Sequence, residues 1–312
     1  MSYNPDMARP LARARQWVRS RADPVMVRLG YQRMSTVRQN PVDFRGLISD
    51  PLEALARTNG TWVLMNMPMH CLRGLKPIGF PCTLSSAHPF VLTAHQWLSG
   101  SIHSYADSPL RAYYDRVQPA HGAAILGVGA RGASAALLTS EPIATDFPWR
   151  AAPSRAVKSE RLQWLQEDAR QHGWKLDNPN AWIITGPMLL NDGQFEFERI
   201  CRVTQSIQQL GYDPSQANGS SITGTLLHEG NDCAVVVDVG QHRIAALAAL
   251  GYREVSIVLR AQVVNPIWID KWPGVREGAF TVDEAQAVFD RVLTGALPGA
   301  IAECWNVSAS SH

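Results

Sequence analysis

Hydrophobic positions change period several times along the chain, and each change marks an element. Val235, Val236 and Val237 form a continuous β-branched run, the composition of a strand buried on both faces. Gly240 ends it. From Gln241 the spacing becomes helical, with Ile244, Leu247, Ala248 and Leu250 on one face and Gly251 placed to close the C-terminus. Upstream, Gly193 to Gly211 reads as a helix with Phe197, Ile200, Cys201, Thr204 and Ile207 as its inner stripe. Ile222 to His228 and Glu254 to Leu259 read as strands, as do Thr61 to Met65 and Ala181 to Thr185. Three further helices are expected at Leu92–Leu98, at Pro109–Arg116 with Ser108 as N-cap, and at Ser159–His172. Thr281-Val282-Asp283-Glu284 is a capping box opening a helix with Ala285, Val288, Phe289 and Val292 inward.

These elements predict an α+β fold, a mixed sheet with helices over about residues 181–262. Four stretches follow: a basic arm (1–45), an N-terminal α/β region (46–150), a proline-marked linker and helix (151–180, with prolines from 139 on), and a C-terminal domain (181–312). Trp268 and Trp272 lie in an aromatic loop, where they serve either to pin the loop to the core or to stack on a sugar or base.

Charge alters this picture at one end. Nine arginines against three aspartates leave residues 1–45 at +6, and with +2 overall the remainder stands at −4. Such an arm suits an anionic membrane surface, a polysaccharide or nucleic acid, against the plainer reading of a solvated terminus. No window approaches the roughly 20 apolar residues of a membrane span, and the N-terminus has no apolar signal core. Five widely spaced cysteines without a Cys-x-x-Cys pair fit reduced thiols. The expected location is cytoplasmic, peripheral to the inner membrane face through the arm. His70, Cys71, Cys82, His88, His95 and His103 fall close together, but their spacing does not suit a zinc site.

The candidate chemistry lies at Gly240-Gln241-His242-Arg243. A strand, a glycine and a helix start make an anion cradle, because the first helical N–H groups lack intrahelical partners and the macrodipole is positive there. His242 and Arg243 add side-chain donors. A tight turn with two solvated polar residues explains the same letters. Glu196 and Glu198, in the first turn of the preceding helix, are explained by its dipole alone; the alternative is a general base facing the cradle.

The order helix, strand, strand, glycine turn, helix, strand from Phe195 to Leu259, with Ser206-Ile207 before Gly211, resembles the ParB/sulfiredoxin superfamily. ParB proteins carry Gly-Glu-Arg-Arg at the turn, sulfiredoxins Gly-Cys-His-Arg, and free serine kinases Asp-Gly-His-His-Arg. The resemblance implies a nucleotide-phosphate site at Gly240, Gln241, His242 and Arg243, with ATP or ADP and Mg2+ as cofactors and Glu196, Glu198 and His242 as catalytic candidates. It implies a phosphotransferase or nucleotide hydrolase, or else a nucleotide-responsive binding or scaffold module without chemistry. Gln241 replaces the sulfiredoxin cysteine, which argues against sulfinic-acid repair. Val239 replaces the kinase aspartate, and Asp238 faces the other way in a strand. The core is followed by little basic charge, which argues against sequence-specific DNA binding. The spacing of Ser108-Pro109-Leu110, Gln118-Pro119, Gly186-Pro187 and Trp272-Pro273 also resembles bacterial proteins associated with surface-polysaccharide genes, which implies a sugar or lipid-linked acceptor.

Overall fold

The computed structural model describes residues 40–305 apart from 59, 151–153, 179–181 and 215–220. The expected basic arm lies outside the described residues, save its last few positions. The elements in chain order are β1 (Val42–Asp43), α1 (Pro51–Ala56), β2 (Val63–Pro68), β3 (Leu72–Gly74), β4 (Phe80–Pro81), α2 (Pro89–Leu98), α3 (Pro109–Arg116), α4 (Gly122–Leu126), α5 (Ala135–Thr139), α6 (Ser154–Gln171) and α7 (Leu190–Leu210). There follow β5 (Thr223–Glu229), β6 (Asp232–Val239), α8 (Gln241–Ala249), β7 (Glu254–Val264), α9 (Pro273–Arg276), α10 (Val282–Thr294) and α11 (Gly299–Cys304).

The seven strands make one mixed sheet in the order β1-β2-β7-β5-β6-β3-β4. The fold is α+β. β5 and β6 form an antiparallel hairpin closed by Gly230 and Asn231, and β5 runs parallel to β7. β2 joins β7 antiparallel, and β3 joins β6 parallel. Strands from the first hundred residues therefore flank the three C-terminal strands on both sides.

β6 is an interior strand between β5 and β3, which explains its valines: Val235, Val236 and Val237 are at most 1% exposed. On one side of the sheet α2, α7 and α8 pack on one another, with α8 against β3. Ile244 and Leu247 of α8 are fully buried there, each contributing roughly 1.5–3 kcal/mol. The opposite side meets α10, where Arg73, paired with Val236 across β3 and β6, donates to the carbonyls of Val292 at 2.9 Å and Leu293 at 2.8 Å. Among the described residues no helix is long and apolar enough to cross a membrane.

The capping box at Thr281 forms, and Ala285, Val288, Phe289 and Val292 are buried as its period requires. Ser108 caps α3. Two expectations fail. Residues 182–185 are a turn rather than a strand, because the carbonyls of Ile184 and Ile183 accept from the hydroxyls of Tyr113 at 2.7 Å and Tyr114 at 2.9 Å. The proline-rich stretch from 139 is no bare linker either. Phe147 and Trp149 stack at 4.5 Å, and Trp149 meets Trp272 and Phe289 edge-on in the core. Trp272 thus pins its loop, whereas Trp268 is half exposed and lies under Lys271.

Candidate functional site

The glycine turn forms where the change of period places it. Gly240 takes a left-handed backbone (φ 97°) as N-cap of α8 and offers no side-chain cap. A β-carbon there would also come within 2.9 Å of Ile222 Cγ1. Glycine is needed for the turn itself, whatever binds beside it.

Gln241 points back into the sheet. Its amide donates to the carbonyl of Val237 at 2.7 Å and accepts from the N–H of Leu75 at 2.8 Å. Leu75 itself is a non-glycine residue at φ 50°. Gln241 therefore fastens the turn after β3 to the end of β6.

His242 is 7% exposed and lies on the ring of Phe90, centroids 5.1 Å apart. Its Nε2 is 2.6 Å from Glu196 Oε2, and Glu196 is completely buried. Burial pushes His242 below the usual imidazole range, against the upward pull of Glu196. Burial pushes Glu196 upward, but His242 and Arg199 outweigh it, and the carboxyl stays below its ordinary value. The pair is thus a carboxylate accepting from the Nε2–H of a neutral imidazole, which leaves the lone pair on Nδ1. Arg199 Nη1 stands 3.8 Å from the other Glu196 oxygen and is itself held by Asp168 in a two-bond fork of 2.6 and 3.0 Å.

Arg243 is half-buried, and its Nη1 is enclosed without a hydrogen-bond partner. Glu198 is exposed and accepts from Gln194 at 2.9 Å. Two helical steps rotate a side chain by about 200°, so one acid of the pair reaches His242 and the other faces solvent. The structure joins His242 to Glu196 beside the Gly240 turn and leaves Glu198 outside, while Arg243 has Tyr212 and Arg199 near it. Because α7 begins at Leu190, neither glutamate lies in its first turn, so the helix dipole does not account for them. Phe90, Arg199 and Asp168 complete the set. Nothing in their local sequence marked them, although Arg199 lies one helical turn after Glu196.

Comparison with family models, characterised proteins and solved structures finds no match to this chain.

Proposed function

We propose that the chain binds the phosphates of a nucleotide, ATP or ADP, at the start of α8, and uses His242 as an acid–base group in phosphotransfer or nucleotide hydrolysis. The observation that carries this reading is the 2.6 Å Glu196–His242 hydrogen bond inside the first turn of an uncapped helix. The same turn opens with a helix start that has no side-chain cap and carries Arg243, whose Nη1 is unpartnered. Glu196 acts here as a positioning residue that fixes the tautomer and orientation of His242. The succession α7, β5, β6, α8, β7 supports the ParB/sulfiredoxin-like reading. Among the described residues no three His, Cys, Asp or Glu side chains come together as metal ligands. Magnesium is taken to arrive on the nucleotide, and no step is assigned to it. A sugar or lipid-linked acceptor in a surface-polysaccharide pathway remains the expectation from layout, as does a contact of the arginine-rich arm with an anionic membrane surface.

One observation favours a second reading, a nucleotide-responsive module without turnover: His242 is nearly buried and joins two helices, as a purely structural pair would. The same experiment separates the two. Thermal shifts with ATP, ADP, GTP and CTP, with and without magnesium, should reveal a nucleotide that stabilises the parent. Arg243→Ala should weaken that nucleotide by about 10- to 100-fold, the loss of a charge-assisted hydrogen bond of roughly 1.5–3 kcal/mol. His242→Gln that binds but no longer turns over nucleotide indicates chemistry. A parent that responds to no nucleotide ends the proposal.

A further inference from the structure

On the sheet face opposite α8, four cations gather around two carboxylates. Asp238 shares this face with Thr225, which pairs with Val236 and donates to Asp238 at 2.8 Å. Asp238 is also held by Arg150, by Arg260 Nε at 3.2 Å and by Lys76 Nζ at 3.8 Å. Lys76 Nζ reaches Asp146 as well, at 3.3 Å, and Arg161 Nη2 stands 3.6 Å from that carboxylate. No side chain of the six is more than 30% exposed.

Four positive charges against two negative ones leave a surplus of two in a largely enclosed place, where unpaired charge is costly. Among the described residues no other carboxylate forms an ion pair with these four cations. Glu160, the other acid that acts on Arg161, is exposed. Two donors are also unmet: Arg161 Nη2 and Arg260 Nε are buried without a hydrogen bond, the latter near Asp238 but out of line with it. Buried donors of this kind call for a partner. Burial pulls Lys76 and Arg161 below their usual pKa ranges, more strongly than the aspartates raise them. Trp182 lies under Arg161 at 4.7 Å and Trp62 under Arg260 at 5.7 Å, fixing both guanidinium planes.

We propose that this cluster binds a doubly charged oxyanion, a phosphoryl group, at a site separate from the glycine turn. A dianion matches the surplus charge, and arginine guanidinium groups suit its oxygens. The inference stands on the charge balance and the unmet donors, independently of nucleotide binding at α8.

The test compares melting temperatures of the full chain in phosphate and in chloride at matched ionic strength, together with titration calorimetry of phosphate, a nucleoside monophosphate and a hexose phosphate. The background is Arg243→Ala, so that the glycine turn does not contribute. Phosphate should stabilise this protein where chloride does not, and the three ligands show what carries the phosphoryl group. Lys76→Met and Arg260→Gln should each weaken phosphate at least ten-fold while melting in chloride no lower than their background, since each removes a surplus charge. Absence of a phosphate-specific response, or variants that lose the same stability in both salts, would overturn the site and make the cluster a structural brace. The α8 proposal fails differently, through an unchanged nucleotide response in Arg243→Ala, and that outcome leaves this result standing.

Discussion

On the helical side of the sheet, Glu196 meets His242 at 2.6 Å and Arg199 forks onto Asp168, whereas on the other side four cations share two aspartates. Both sets bury charge, and both attach to the same end of β6, through Asp238 on one face and the Gly240 turn beyond it. The first is balanced in charge: Glu196 and Asp168 face His242 and Arg199, the imidazole is held neutral, and the unmet atoms are one oxygen of Glu196 and the Nη1 of the neighbouring Arg243. The second is open, with cations in excess and donors unmet. A balanced set gives rigidity and positions one atom, here His242 Nδ1. An open set stores attraction for something that is not part of the chain.

Acid separates the two most strongly. His88, fully buried beside α8, accepts from the N–H of Phe90 through Nδ1 and is pushed down to about 3 by burial. Its folded pKa lies below the unfolded 6.5, so its stability contribution is complete above pH 6.5 and is lost as pH falls toward 3. His242, also pushed down, adds loss in the same direction. Urea unfolding should show His88 alone removing roughly 4–5 kcal/mol over that range. His88→Asn, which keeps a capping acceptor, should flatten that part of the profile. A parallel profile for parent and variant would show that the helical side is not held neutral as described.

Breaking the balanced pair directly comes next. Glu196→Ala leaves the buried Nε2–H of His242 without its acceptor and a cavity where the carboxylate side chain was, while Arg199 keeps Asp168; together these should cost about 3–5 kcal/mol, measured by denaturant midpoint. The contrast with Lys76→Met, expected to cost nothing in chloride, is the sharpest form of the comparison. Smaller still is Gly240→Ala, where the left-handed backbone and the 2.9 Å approach to Ile222 predict a loss of about 1–3 kcal/mol. Glu198→Ala should lie within about 0.5 kcal/mol of the parent; a large loss there would undo the division between the two glutamates.

The elements around the site were legible because each has a local cause. A triple-valine run, a glycine and a helical stripe place β6 and α8, and the Thr281 box places α10. Glu196 carried a readable signal too, since it lies four residues before Ile200 on the buried stripe while Glu198 does not. Ile183 and Ile184 misled, because two β-branched residues suggest a strand until tyrosine hydroxyls some seventy residues earlier take their carbonyls. The cation cluster had no local signature at all. Lys76, Arg150, Arg161, Asp238 and Arg260 come from separate segments, and only the sheet brings them together.

The order of strands bears on how the chain is made. β2 and β3 lie on either side of a centre supplied by β5, β6 and β7, and Gln241 ties the turn after β3 across 166 positions. As the polypeptide leaves the ribosome, its first strands have only each other, β1 on β2 and β4 on β3, until residues 223–264 have been synthesised. At about 5–20 residues per second, that delay is on the order of 10–40 s. Met65, Met67, Leu72 and Phe80, all buried at the end, would meanwhile face solvent, and a nascent chain in that condition is a natural client for a chaperone that binds extended apolar segments.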